Sequence, residues 1–489
     1  MKFGNAGSSV WSVLRSRPAT VLPIYLAGTS VGMVAQTVPI VGVVVAYILL
    51  GTARIRSIFS TIRSIDFSQS DLSNAEMERL GDAMTKLFTP EITLTLLLSV
   101  VGAIVVFFVA RAIAEAAQVH TATAALRNET AIAAGVTGAR EDSWTFLKLS
   151  MVRMTATLLL LLPSALPAIL AGEFTPATVL LSLLVFLLLT PVLLVVNLLF
   201  LFVPQAIVID GVGVRAGIRR SARFGWNNKA RVAAYLVVVI GLFGMLGFVS
   251  VLFQFLGVSR VLGIVLAFGL FPTLSLLKTA LYLDDSPLEP EPRGSIRGAF
   301  GRGLTELTSF VFGRFELVLI ASGLFAGGIV GGWVTTSPFA LTTLQTDVSK
   351  NVFGSVPFGA FVTLTVNNWL VAISAAFAGL VFGIPAVVTL LFNGLIVGGV
   401  VGLLPDTTLA IALIAPHGII EIPALAVAGA LGLHLGGVSW SYVRGSTGAP
   451  GLAAELVRAY YILLGLLPVF IVAAFIEAFL TWWVATSFV

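Results

Sequence analysis

Thr175-Pro-Ala-Thr-Val-Leu-Leu-Ser-Leu-Leu-Val-Phe-Leu-Leu-Leu-Thr-Pro-Val-Leu-Leu-Val-Val-Asn-Leu-Leu-Phe-Leu-Phe202 runs without one charged side chain. About 20 apolar residues carry an α-helix across the hydrocarbon core of a bilayer. Strands facing lipid would show short alternating segments instead, whereas this run is continuous. It reads as a membrane-spanning helix. Working outward, comparable runs recur at Pro18–Leu50, Pro90–Ala110, Thr155–Ala171, Val232–Leu256, Val261–Leu283, Leu317–Val334, Phe361–Phe382, Ala386–Leu404, Thr407–Leu435 and Ala459–Val484. The predicted fold class is all-α, a polytopic transmembrane helical bundle of about eleven spans, with ten and twelve as the bounds. Pro18–Leu50 is too long for one upright helix. It predicts either a tilted helix or a tight hairpin of two short helices around Gln36–Pro39.

Composition agrees. Of 489 residues, 58% are hydrophobic and 10% charged, with a mean hydropathy of +1.04, against about a quarter charged in soluble domains. There is no cysteine, which excludes disulfides, thiolate nucleophiles and cysteine-held metals. The net charge of +5 points to basic loops on one side of a membrane and not to nucleic acid. With the N-terminus inside, most of the 28 basic residues fall on the inner side, though Arg54, Arg56 and Arg63 fit that arrangement poorly. No signal-peptide pattern opens the chain, and no cofactor motif is present.

Asp284-Asp-Ser-Pro-Leu-Glu-Pro-Glu-Pro-Arg293 clusters proline and charge between apolar blocks, as linkers do. The predicted organisation is an N-terminal helical membrane domain over 1–285, a linker over 286–300 and a second membrane domain over 301–489. Asp66–Phe88 and Ala116–Ala139 read as amphipathic helices at the membrane interface.

Ionisable groups inside a bilayer are costly, at about 2.5–3.5 kcal/mol on insertion scales, and few occur here. His417 and Glu421 lie four residues apart, on one helical face, within Pro416-His-Gly-Ile-Ile-Glu-Ile-Pro423. Each proline withholds an N–H, so a broken helix is expected around the pair. Such breaks are tolerated where they are buried in protein or line a wet cavity. Glu477 stands in the last span, and Asn367, Asn368 and Asn393 add amides expected to bond across helices. Three readings stay open: a structural anchor, a proton or cation transport site, and a catalytic site. The last is the weakest, since one histidine and one carboxylate are thin ligation for zinc. No catalytic residue and no metal are assigned.

Gly323, Gly327 and Gly331, and likewise Gly394, Gly398 and Gly402, repeat every fourth residue and predict close helix packing. Arg215, Arg219, Arg220 and Arg223 read as a topology anchor that also suits anionic lipid head groups.

Asn367-Asn368, then Phe392-Asn393-Gly394 with Gly398, then Pro416-His417-Gly418 with Glu421 and Pro423-Ala424, together resemble the stage II sporulation protein M family over about residues 300–489. More weakly, Pro204–Asp210 with Val214–Ser221 resembles membrane domains of uncharacterised archaeal and bacterial proteins. The first resemblance implies a non-enzymatic scaffold or assembly factor in cell-envelope or membrane remodelling, which recruits a wall-cutting enzyme without being one. It also implies a multi-pass protein of the cell membrane, with the bilayer and other membrane or envelope proteins as partners and with room for oligomers. The alternative is a small-solute or ion permease that uses the His417/Glu421 pair.

Overall fold

With lipid on one side and no water to satisfy the backbone, apolar runs close their hydrogen bonds internally and become helices. The computed structural model describes residues 3–65, 73–284, 295–340 and 356–487. Among these residues every regular element is helical, and eleven helices are long and apolar enough to cross a membrane. The chain is an all-α, multi-pass membrane protein.

In chain order the helices are α1 (Phe3–Ser16), α2 (Leu22–Thr29), α3 (Val31–Arg63), α4 (Asn74–Leu87), α5 (Pro90–Leu126), α6 (Ala131–Ala171), α7 (Pro176–Phe200), α8 (Val203–Asp210), α9 (Val214–Asn227), α10 (Lys229–Phe255), α11 (Val261–Ile264) and α12 (Phe271–Leu283). After residues 285–294, which are not described, come α13 (Ile296–Gly313), α14 (Phe315–Thr336), α15 (Phe358–Ala378), α16 (Ile384–Leu403), α17 (Thr407–Val443), α18 (Ala449–Phe475) and α19 (Thr481–Ala485). Most of the expected linker, 286–300, thus lies outside the described residues, and its end already belongs to α13.

Two compact units emerge, Val31–Ala110 and the rest of the chain. In the smaller unit α3 passes through Pro39 without a hairpin, which corrects the hairpin alternative at Gln36–Pro39. The chain bends instead at Gly51, where φ 72° and ψ 152° demand a residue without Cβ. Gly42 lets α3 approach Ser99 of α5. Ser73 and Glu76 close a capping box at the start of α4. The Asp66–Leu72 part of the expected amphipathic segment is outside the described residues.

In the larger unit, helices from both halves of the sequence share one core. Ile132 and Val136 of α6 pack with Leu452, Leu456 and Tyr460 of α18, and Phe268 stacks on Trp369 at 5.2 Å. Trp369 Nε1 donates to the Leu463 carbonyl at 2.7 Å, which ties α15 to α18. Trp369→Phe removes the donor together with the pyrrole half of a buried indole. It is expected to cost about 2 kcal/mol, read as a lower unfolding temperature in detergent. An unchanged temperature would show that this side chain does not tie α15 to α18.

Glycine sets the tightest approach. Gly394, Gly398 and Gly402 of α16 press on the backbone or Thr336 of α14. On α14, however, the facing residues are Gly328 and Gly332, while Gly323, Gly327 and Gly331 have nothing within 4 Å of an added Cβ. The register expected on α14 is therefore corrected. Two interleaved glycine ladders satisfy the same spacing there, and packing selects the other one. Since Gly328 meets Gly394 and Gly332 meets Gly399, the two helices run parallel. Elsewhere large apolar side chains such as Leu188, Phe248 and Phe255 are exposed, the arrangement expected of lipid-facing surfaces.

Candidate functional site

α17 is one continuous helix from Thr407 to Val443 through both Pro416 and Pro423, so the expected break is absent. Each proline deletes one intrahelical bond. α17 is held by packing that buries Leu409, Ala412 and Gly418 around Pro416 and Ala424, Ala428, Leu431 and Leu435 beyond Pro423, and this packing outweighs the local preference. The irregularity lies in the facing helix of the bundle. Between α18 and α19, Ile476–Leu480 forms a π-helical turn, a feature often found at functional sites.

This turn brings Glu477 to the His417–Glu421 face. One ligand-capable atom from each of His417, Glu421 and Glu477 lies within 4.8 Å of the other two. The Thr481 hydroxyl donates to the Ile476 carbonyl at 3.2 Å and sits 3.3 Å from His417 Nδ1. The hydroxyl thus bridges the π turn and the His417 ring. Oε2 of Glu421 is buried and accepts no hydrogen bond from any of the described residues.

Two carboxylates beside an imidazole in apolar surroundings can bind a shared proton or a cation. Their mutual separations, all within 4.8 Å, are of the order that a shared small cation spans. The sequence shows only one carboxylate near His417, and no metal is expected from it. Glu477 arrives from 56 positions beyond Glu421, a proximity that no local spacing announces.

The amides are arranged differently. Asn367 Nδ2 donates to Asn368 Oδ1 at 3.3 Å, and Asn393 Nδ2 returns to the Thr389 carbonyl of its own helix at 2.8 Å. These bonds stay within single helices, not across helices as expected, because an amide can reach the carbonyl one turn back. None of them reaches His417 or Glu421.

Two other histidines find carboxylates that the sequence does not advertise. His434 Nε2 is 3.0 Å from Glu455 Oε2, beside Arg458, which pairs with Glu306 at 3.1 Å. His120 Nε2 lies 2.8 Å from Asp142. On α9, Arg215, Arg219 and Arg223 are exposed. Arg220 pairs instead with Asp210 at 2.9 Å, which also accepts from Tyr282 at 2.7 Å. Arg220 thus clasps α8 and α12 in addition to facing outward.

Residues 321–482 match the model of one protein family. The family is Stage II sporulation protein M. The matched segment runs from within α14 into α19 and holds His417, Glu421, Glu477 and Thr481, whereas α1–α13 lie outside it. The chain is also similar to an uncharacterized protein of Methanocaldococcus jannaschii, 25% identical over 173 residues, covering 35% of this chain and 96% of that protein. No solved structure matches.

Proposed function

We propose that this chain is a non-enzymatic, multi-pass protein of the cell membrane that binds and moves a proton or small cation through the His417–Glu421–Glu477 centre, as an ion or small-solute permease. The observation that carries this reading is the convergence of three titratable groups around a buried carboxylate oxygen with no hydrogen bond. Intramembrane carboxylates and imidazoles that face one another are how proton and ion pathways are built. The purified full chain in liposomes, under an imposed proton or divalent-cation gradient, is expected to dissipate that gradient faster than empty liposomes do. Folded protein that leaves every gradient intact overturns the reading.

A second reading, a scaffold or assembly factor of the cell envelope, is favoured by the stage II sporulation protein M match. Under it the centre locks α17 against α18, and the chain works by holding other membrane or envelope proteins, with no role for nucleic acid. Mild detergent extraction would then recover specific partners, and a chain inert in liposomes that recovers such partners would support this reading over the first.

A further inference from the structure

A large open cleft lies far from the His417 centre. It is walled by the residues just before α2, the start of α6, the start of α13 and the first turns of α18, and it encloses about 1260 Å³. That exceeds the roughly 300–1,000 Å³ of sites that hold drug-sized ligands. Its lining divides into two chemistries. Pro18, Ile132, Ile296, Phe300, Val457 and Leu464 give it apolar walls, while Arg15, Arg17 and Arg302 set three guanidiniums against the one carboxylate of Glu129.

The guanidiniums are held in place. Arg302 lies over the Tyr461 ring at 4.1 Å and 3.8 Å from Glu306. Arg15 lies over Trp11 at 5.5 Å, and Arg17 bonds Asn128. The N-termini of α6, α13 and α18 open on the same cleft, and each adds partial positive charge. Leu22, Ala131 and Ala449 each begin a helix long and apolar enough to cross a membrane.

We propose that this cleft holds the head group of an anionic phospholipid, with the phosphate on Arg17 and Arg302 and an acyl chain along Phe300 and Leu464. Guanidinium pairs bind phosphate oxygens bidentately. The apolar walls select a lipid over a free phosphate, which would leave them exposed to water.

The test is native mass spectrometry of the full chain released from nanodiscs containing equal phosphatidylglycerol and phosphatidylcholine. One phosphatidylglycerol is expected to be retained in preference. Arg17→Gln and Arg302→Gln are each expected to weaken retention about fivefold. Ala454→Trp, which fills the exposed cleft and keeps all three arginines, is expected to abolish it. Arg260→Gln, at an exposed position between α10 and α11 and outside the cleft lining, is the control and should leave it intact. Equal retention of both lipids, retention that survives Ala454→Trp, or displacement of the lipid by glycerol 3-phosphate at equal concentration would each overturn the proposal.

Discussion

Gly398→Leu is expected to prevent recovery of folded protein, or to lower its stability by about 3 kcal/mol or more. Even the first added carbon would meet the Ile329 carbonyl oxygen, with the Ile329 carbonyl carbon at 2.6 Å and its Cα at 2.8 Å. All three are backbone atoms of a packed helix, so none can swing aside as a side chain end would. Relief requires α14 and α16 to separate, which would break the approaches at Gly328, Gly332 and Gly394 together. Gly327→Ala is the matched control. Its Cβ has nothing within 4 Å, so its stability should stay within about 0.5 kcal/mol of the parent. Fluorescence-detected size exclusion and thermal unfolding in one detergent measure both variants. Equal behaviour of the two would show that the α14–α16 register described above is wrong.

The second large effect concerns Glu421→Gln. The amide keeps the size of the side chain and removes its capacity to take up a proton or to offer an anionic ligand. In liposomes it is expected to reduce flux at least about tenfold, the loss of one charge-assisted contact, while the unfolding temperature is held or rises. Glu477→Gln should act in the same direction. Asn393→Ala should not, since the Asn393 amide serves its own helix. Full flux through folded Glu421→Gln protein would remove the centre from transport and leave the scaffold reading standing.

Much of this architecture is legible in the sequence, for a physical reason. Lipid imposes one rule on every span, so hydropathy alone finds eleven helices near their observed places. His417 and Glu421 are equally legible, because a four-residue spacing fixes a shared face whatever the rest of the chain does. Other features depend on partners. Glu477 joins them only through the packing of α17 on the segment after α18. The phase of the α14 glycines is undetermined locally, because Gly323, Gly327 and Gly331 repeat as regularly as Gly328 and Gly332. The prolines of α17 mislead for a related reason. A local penalty predicts a break, and tertiary packing overrides it. The cleft near Arg302 gathers four segments distant in sequence, and no window along the chain contains it.

The π-helical turn at Ile476–Leu480 acts as a gear change in the last helix. Successive α-helical residues are rotated by about 100°, and a π turn accommodates one residue more than the α count. The surplus residue resets the angle, so that buried Phe470 and Ala474 before the turn and buried Thr481 and Ala485 after it all point into the bundle. Were the surplus to migrate past Thr481, the hydroxyl and Glu477 would rotate off His417 by that same step while the rest of α18 kept its seat. The surplus residue thus sets which side chains of the last helix reach His417, the Thr481 hydroxyl among them at 3.3 Å.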